Sequence, residues 1–227
     1  MVELSRNSQV DDDTRRLEVE SSEQIDPGNS TAIAVLVELI GKPHVDDYTR
    51  MLAAESLGKT GSGNEKAIAA LVELIGKPHV DDYTRIQAAQ VLGKIGSGNE
   101  KAIAALVELI SNSQLDDHTR WRAAESLGKI DPGNQKAIDA LVELICNPQV
   151  DDNTRWLASN TLRQIMAEEQ MPSLVTALKD YLSPETYKND FNRFNDCYSL
   201  IWKCAQNMPY PAFYQAWHQQ EKVKDGE

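Results

Sequence analysis

Cysteine is scarce in this chain: Cys146, Cys197 and Cys204 are the only three among 227 residues. A set that is both odd and sparse argues against a disulfide framework and for a reducing compartment, so a cytoplasmic protein is the expectation. Long apolar runs are missing as well. None approaches the roughly 18 residues that cross a bilayer. The opening MVELSRNSQV has neither the basic region nor the apolar stretch of a secretory signal. Positive charge is in short supply: 23 Lys and Arg face 35 Asp and Glu, for a net charge of −12, and the first 40 residues alone carry −6. Such a surface repels phosphate backbones and anionic bilayers, so neither nucleic acid nor membrane is an expected partner. Hydrophobic content (41%) and charged content (26%) are ordinary for a soluble protein, so an unstructured chain is not expected.

What is present is a repeat. Asp-Asp-x-Thr-Arg returns every 35 residues, with acid pairs at Asp11-Asp12, Asp46-Asp47, Asp81-Asp82, Asp116-Asp117 and Asp151-Asp152 and arginines at Arg15, Arg50, Arg85, Arg120 and Arg155. A fixed period of this size means stacked supersecondary units rather than one globular core. In the copy that opens at Asp46, residues Thr49, Leu52, Ala53, Ser56 and Leu57 fall at helical spacing. They predict a helix over 46–60, capped by Asp46 or Asp47. Asp46 and Arg50 lie four apart, on one helix face. Gly61-Ser62-Gly63-Asn64 breaks the helix, and Asn64 caps a second one over 65–75, with Ile68, Leu71, Val72 and Ile75 on one stripe. Gly76 and Pro78 supply its stop. The predicted unit is a hairpin in which the DDxTR helix comes first. Met1–Leu4 is in phase with Leu36–Leu39, which predicts a start inside a second helix and a chain that is the C-terminal part of a longer array. Glu18, Val19, Ser22 and Glu23 stand where later copies have small apolar residues, as suits a solvent-facing end.

The run Thr-Arg-x-x-Ala-Ala-x-Ser-Leu-Gly-Lys, at 49–59 and again at 119–129, resembles the HEAT-like repeat in the short variety found in phycobilisome (PBS) lyases. The likeness spans residues 1–165. It implies an all-α fold: a right-handed α-solenoid of about five HEAT-like helical hairpins. It further implies a structural ladder between repeats made by Asp46, Arg50, Asp81, Arg85, Asp116, Arg120, Asp151 and Arg155, with small Ala and Gly letting helices approach. Glu23 and Arg163 replace that Gly in the first and fifth copies. The tetratricopeptide pattern is excluded by its missing aromatics. The pentatricopeptide repeat shares the period but reads RNA, which this acidic chain suits badly.

From Met166 the register fails. Leu174, Val175 and Leu178 read as a last repeat helix shifted by two residues. Ser183-Pro184 starts a helix, and Phe191, Phe194, Cys197, Tyr198, Ile201, Trp202 and Ala205 predict one strongly apolar helix stripe. A turn at 207–211 and a short aromatic helix over 212–219 follow, then a charged tail, 221–227. The run DCYSLIWKCAQNMPYPAFYQAWH, at 196–218, resembles the C-terminal helical module of bacterial, especially cyanobacterial, NACHT-type NTPases. That likeness implies a C-terminal helical cap over 166–220. It also implies kinship with innate-immune sensors that switch through a nucleotide-binding domain which these residues do not contain.

Motifs with chemical promise reduce to structure. Gly58-Lys59-Thr60 lacks the earlier Gly and preceding strand of a phosphate loop, and Thr60 is matched by Ile95 and Ile130 in the sister copies. The Asp pairs read as caps and ion pairs rather than metal or acid–base sites. Cys197 and Cys204, seven apart on one helix, are too distant for one zinc and read as packing residues; with His218 they lack a third group to orient a base. Neither a metal nor a cofactor is expected. The informative positions are those that refuse to repeat. Within DDxTRxx they place Tyr48, Tyr83, Trp121, Arg122 and Trp156 as candidate partner-binding residues, a row of aromatics with Arg down one flank. Ala69, Ala104 and Asp139 vary along the second helices and suggest a smooth groove turning acidic. The expected function is non-enzymatic protein binding on the repeat face, as the sensor or regulatory C-terminal region of a NACHT-type NTPase or a derivative lacking the NTPase. The alternatives are a phycobilisome bilin lyase or phycobiliprotein chaperone-like factor, which the repeat resemblance implies, and a free-standing scaffold.

Overall fold

The computed structural model describes residues 29–219, together with Thr14 and Leu17. The first acid pair with Arg15, the Met1–Leu4 phase and the charged tail lie outside the described residues. Among the described residues there are twelve α-helices and no strand, so the fold is an all-α solenoid of helical hairpins. The chain divides into two compact units between Asp131 and Pro132.

In the first unit two kinds of helix alternate. α1 (Ser30–Gly41), α3 (Glu65–Gly76) and α5 (Glu100–Ser111) carry the ALVELI-type sequence, while α2 (Asp47–Thr60), α4 (Asp82–Ile95) and α6 (Asp117–Ile130) carry DDxTR. Each start is a cap. Asn29, Asn64 and Asn99 accept from two backbone N–H groups of α1, α3 and α5. Asp46, Asp81 and Asp116 accept from the N–H of Thr49, Thr84 and Thr119 at 2.8–3.0 Å. The hydroxyls of the same threonines donate to the second carboxylate oxygen. These bonds satisfy N–H groups that the first turn of a helix leaves open. The ends differ from expectation. Gly76 belongs to the last turn of α3, and the cap is Lys77, with φ −70 and ψ 128. Lys77 precedes Pro78, whose ring forces the residue before it into extended backbone. Left-handed glycines occur instead inside the Gly-Ser-Gly-Asn turns, at Gly63 (φ 67) and Gly98 (φ 69).

Packing re-phases the repeat. α1 packs against α2, α3 against α4 and α5 against α6. The antiparallel pair therefore spans the short loop that follows an ALVELI helix, and the predicted unit has the right helices with the wrong partner. Val45 and Val80, both buried, anchor that loop. The pairs then stack in two layers: α2, α4 and α6 in one, α1, α3 and α5 in the other. Leu36, Leu57, Leu71, Leu92, Leu106 and Leu127 are fully buried between the layers, each contributing about 1.5–3 kcal/mol of transfer free energy before entropy is subtracted.

The second unit holds α7 (Gln135–Cys146), α8 (Asp152–Ile165), α9 (Met171–Leu178), α10 (Pro184–Asn189), α11 (Phe191–Asn207) and α12 (Tyr210–His218), with 3-10 turns at Glu168–Gln170 and Lys179–Tyr181. α7 packs on α8 and α9, α8 on α11, and α9 on α11 and α12. This is the alternation of the first unit again, with α7, α9 and α12 in one layer and α8 and α11 in the other. α9 and α11 form a further hairpin with α10 inserted in its loop. Even the turn bond recurs: Gly133 N–H donates to Ile165 O at 3.1 Å, as Gly63 N–H does to Ile95 O at 3.3 Å.

The DDxTR helices touch through glycine. A Cβ on Gly93 would stand 3.0 Å from Ser126 Cβ and 3.1 Å from Ser126 Cα, whereas one on Gly58 would meet Val91 methyls at 3.4 Å. Gly93→Ala is expected to lower stability by about 1–2 kcal/mol, since the α6 backbone must yield. Gly58→Ala is expected to be neutral or to raise stability by up to about 1 kcal/mol through helix propensity. Urea-unfolding midpoints of the two variants check the opposite signs.

Candidate protein-binding surface

The arginines of the motif act as clamps within a packed helix pair. Arg85 donates through Nε to Ile75 O (3.1 Å), through Nη2 to Lys77 O (2.9 Å) and through Nη1 to Asp82 (2.7 Å). Arg50 reaches Lys42 O (2.9 Å) and Asp47 (2.7 Å), and Arg120 reaches Ile110 O (3.0 Å) and Asp117 (3.3 Å). The guanidinium thus fills carbonyls that the end of the preceding helix leaves open. The contact between repeats belongs to the second acid, which the predicted ladder left out. Asp47 Oδ2 accepts from Asp81 N–H (3.1 Å), and Asp47 O from the Thr84 hydroxyl (3.2 Å). Asp46, Asp81, Asp116 and Asp151 are the caps.

The second unit repeats this arrangement in disguise. Asp151 caps α8, Arg155 donates to Val150 O (2.7 Å) and pairs with Asp152 (2.8 Å). Asp190 then caps α11 through Arg193 N–H (3.0 Å) and pairs with Arg155 (3.4 Å), while Asn192 donates to Asp152 Oδ2 (2.7 Å). Arg163, in the place of the Gly, donates to Ser199 Oγ (2.6 Å).

The candidate partner residues separate. Tyr48 and Tyr83 stand in the first turns of α2 and α4, 55% and 60% exposed, one repeat apart. Trp156 is 56% exposed in the second unit. Trp121 corrects the expectation: it is 3% exposed. Its register is that of Met51 and Ile86, both buried, on the side of the helix where Gly58 faces Val91. In the first unit bulk at that register packs; Trp156, at the same register in the second unit, projects. Arg122 is half-buried over the Trp121 ring, 4.2 Å from its centroid, and pairs with Glu125 at 3.1 Å. Alignment with Met51 and Ile86 hints at this burial but does not decide it, since Arg16 and the exposed Trp156 hold the same register. Ala69, Ala104 and Asp139 are exposed, as expected of variable positions.

Nothing among the described residues converges as a reaction centre would require. A groove of about 210 Å³ lies against Ile75, Arg85, Ala105 and Glu108, and another of about 400 Å³ against Val37, Ile40, Lys66 and Glu73. The first is smaller than usual ligand sites, and each places few polar groups on an open surface. Cys197 and Cys204 are fully buried; burial pushes both thiols up, that of Cys204 to about 11. Tyr181, raised to about 12 by burial and by its hydrogen bond to Cys146, is also unsuited to proton transfer near neutrality. No three His, Cys, Asp or Glu side chains group as metal ligands among the described residues.

The missed feature is on α11. Its predicted stripe divides lengthwise: Cys197, Leu200, Ile201 and Cys204 face inward, while Phe191, Tyr198 and Trp202, on the adjoining flank, are exposed.

Family comparison fits this geometry. A model of HEAT repeats matches residues 8–83 and 79–152. The chain belongs to the HEAT-repeat family. A second model, described as NACHT C-terminal Cysteine and Histidine-containing, matches residues 190–218, beginning at the Asp190 that caps α11 as the HEAT-repeat acids cap theirs. No curated protein and no solved structure matches the chain.

Two sets of carboxylates give opposite pH dependences. Burial opposes ionisation of Asp116, but the Thr119 N–H and hydroxyl outweigh it and hold its pKa below the usual range; at Asp151 the hydrogen bonds to Thr154 dominate. Their stabilisation is present above about pH 4 and lost as pH falls through the lowered values. Asp196 is the reverse. Burial raises it to about 6, with Arg155 and Arg163 lowering and Asp152 and Asp190 raising. A raised acid favours the folded state when protonated, so this contribution is present below about pH 4 and lost as pH rises to about 6. Asp196→Asn is expected to raise the thermal midpoint at pH 7 and to flatten its change between about pH 4 and 6, followed by circular dichroism.

Proposed function

We propose that this chain is a non-enzymatic protein-binding module: the sensor or regulatory C-terminal region of a NACHT-type NTPase, or a derivative that works without the NTPase. The observation that carries the reading is the succession in one chain of HEAT-repeat matches within 8–152 and a NACHT-associated match at 190–218; we take 166–220 as the module's own cap domain. HEAT-repeat arrays generally bind protein, and the acidic surface disfavours nucleic acid. Tyr48 and Tyr83 are its partner-contacting residues in the first unit. Adjacent repeats set about 10 Å apart let two exposed rings act as paired anchors. Trp156 is the contact of the second unit. A bilin-lyase role is disfavoured, because it calls for a nucleophile beside an open pocket and Cys197 and Cys204 are buried with raised pKa.

The test is association in trans. A NACHT-type nucleotide-binding domain from the source cells, mixed with this chain, is expected to bind it and to change its nucleotide hydrolysis; no binding and no change would overturn the reading. Tyr48→Ala combined with Tyr83→Ala is expected to leave helicity unchanged and to weaken that binding by roughly tenfold or more. Equal binding by the double variant assigns the contact elsewhere.

A further inference from the structure

A solenoid exposes the face on which its next repeat would sit, and terminal repeats ordinarily make that face polar. The second unit does not. On α11, contact with α8 runs through Asn192, Ser199 and Lys203, and contact with the other layer runs through Cys197, Leu200 and Cys204. The side turned away from α8, where a next DDxTR-type helix would pack, carries Phe191, Phe194, Tyr198 and Trp202. Phe194 stacks on Tyr198 (6.3 Å, 5°) and Tyr198 on Trp202 (6.2 Å, 13°). Tyr187 of α10 closes the row edge-on against Phe191 and Phe194. The other layer ends likewise. α12 sits on α9 through Ala216, whose carbonyl accepts from Thr176, and turns Tyr210 and Tyr214 outward. Six of the ten exposed large hydrophobic side chains among the described residues therefore lie between 187 and 214, at one end of both layers.

We propose that this aromatic end is a self-association face, on which a second copy of the chain docks end to end and isologously. Two observations select a second copy. The first is charge. The chain carries −12, so most juxtapositions of two copies set like charges together. The outward positions of α11 (Asn195, Ala205 and Gln206 beside the rings) contain no Asp, Glu, Lys or Arg, and α12 contains none at all. On α11 and α12 two copies meet without like-charge contact, and the exposed charges that flank Tyr187 on α10, Glu185 and Lys188, are of opposite sign. The second is area. Six rings, each about half exposed and each offering roughly 200 Å² when fully exposed, present about 600–700 Å², close to the roughly 800 Å² per partner of a standard interface. A twofold pairing sets stacked rings against stacked rings, with Tyr hydroxyls and the Trp N–H left for polar contacts. Tyr48 and Tyr83 belong to the first unit and not to this face, and the inference stands whether or not the reading above does.

Light scattering after gel filtration of the whole chain, over a dilution series, tests it. The expected result is a concentration-dependent dimer. Tyr198→Ser with Trp202→Ser is expected to raise the dissociation constant by roughly tenfold or more, with far-UV dichroism unchanged. Tyr210→Ser with Tyr214→Ser, on the other helix, is expected to do the same and stands in should the first pair disturb folding. Tyr48→Ser with Tyr83→Ser is expected to dimerise as the parent does. A parent that stays monomeric at its highest soluble concentration overturns the proposal. So does a dimer that survives both aromatic pairs, or a monomer that binds another protein's helix on this stripe.

Discussion

The arginine of each described DDxTR motif ties the start of its own helix to the backbone carbonyls just before it. A helix of twelve residues ends with carbonyls that nothing inside it can satisfy. In this chain the guanidinium of the next helix fills them. Arg85 takes Ile75 O and Lys77 O while its charge is balanced by Asp82. One planar group thereby joins the end of one helix to the start of the next and fixes their relative placement. The second acid extends the link to the following repeat by accepting from Asp81 N–H. Short helices that would be marginal alone become a continuous structure because each end is completed by a neighbour.

The C-terminal segment keeps this logic while abandoning its spelling. Asp190 caps α11, and Asp152 again accepts from the helix that follows, now through Asn192. The glycine of the close approach becomes Arg163, which spans the gap to Ser199 with a hydrogen bond instead of allowing backbone contact. What reads as a foreign cap is a HEAT-like hairpin with an inserted helix and an aromatic outer face.

That outer face and the repeat flank hold most of the exposed aromatics. Tyr48 and Tyr83 lie in helix first turns, where substitution leaves the packed layers untouched. The rings on α11 and α12 lie where a further repeat would pack. They are the residues of an interior placed on an exterior, and a partner surface of interior-like chemistry is what they fit. Asp196, buried on α11 among two arginines and two acids, favours the fold in the opposite pH direction to the capping acids.

The sequence alone determined the period, the helix starts and the two kinds of helix, because caps and hydrophobic spacing are local and each copy confirms the last. It also dismissed Gly58-Lys59-Thr60 as chemistry, and Thr60 is buried with its hydroxyl on Ser56 O. Tertiary structure decided whatever depends on a neighbour. Which helices pair is set by buried Val45 and Arg50 across a loop, and no periodicity distinguishes that loop from the glycine turn. Trp121 is inside and Trp156 outside at one register, because burial belongs to what stands opposite a residue, and composition at a position does not name its neighbour. For the same reason α11 read as one apolar stripe. Two adjoining flanks of a helix, one against α9 and one against solvent, carry the same hydrophobic signal until the packing separates them.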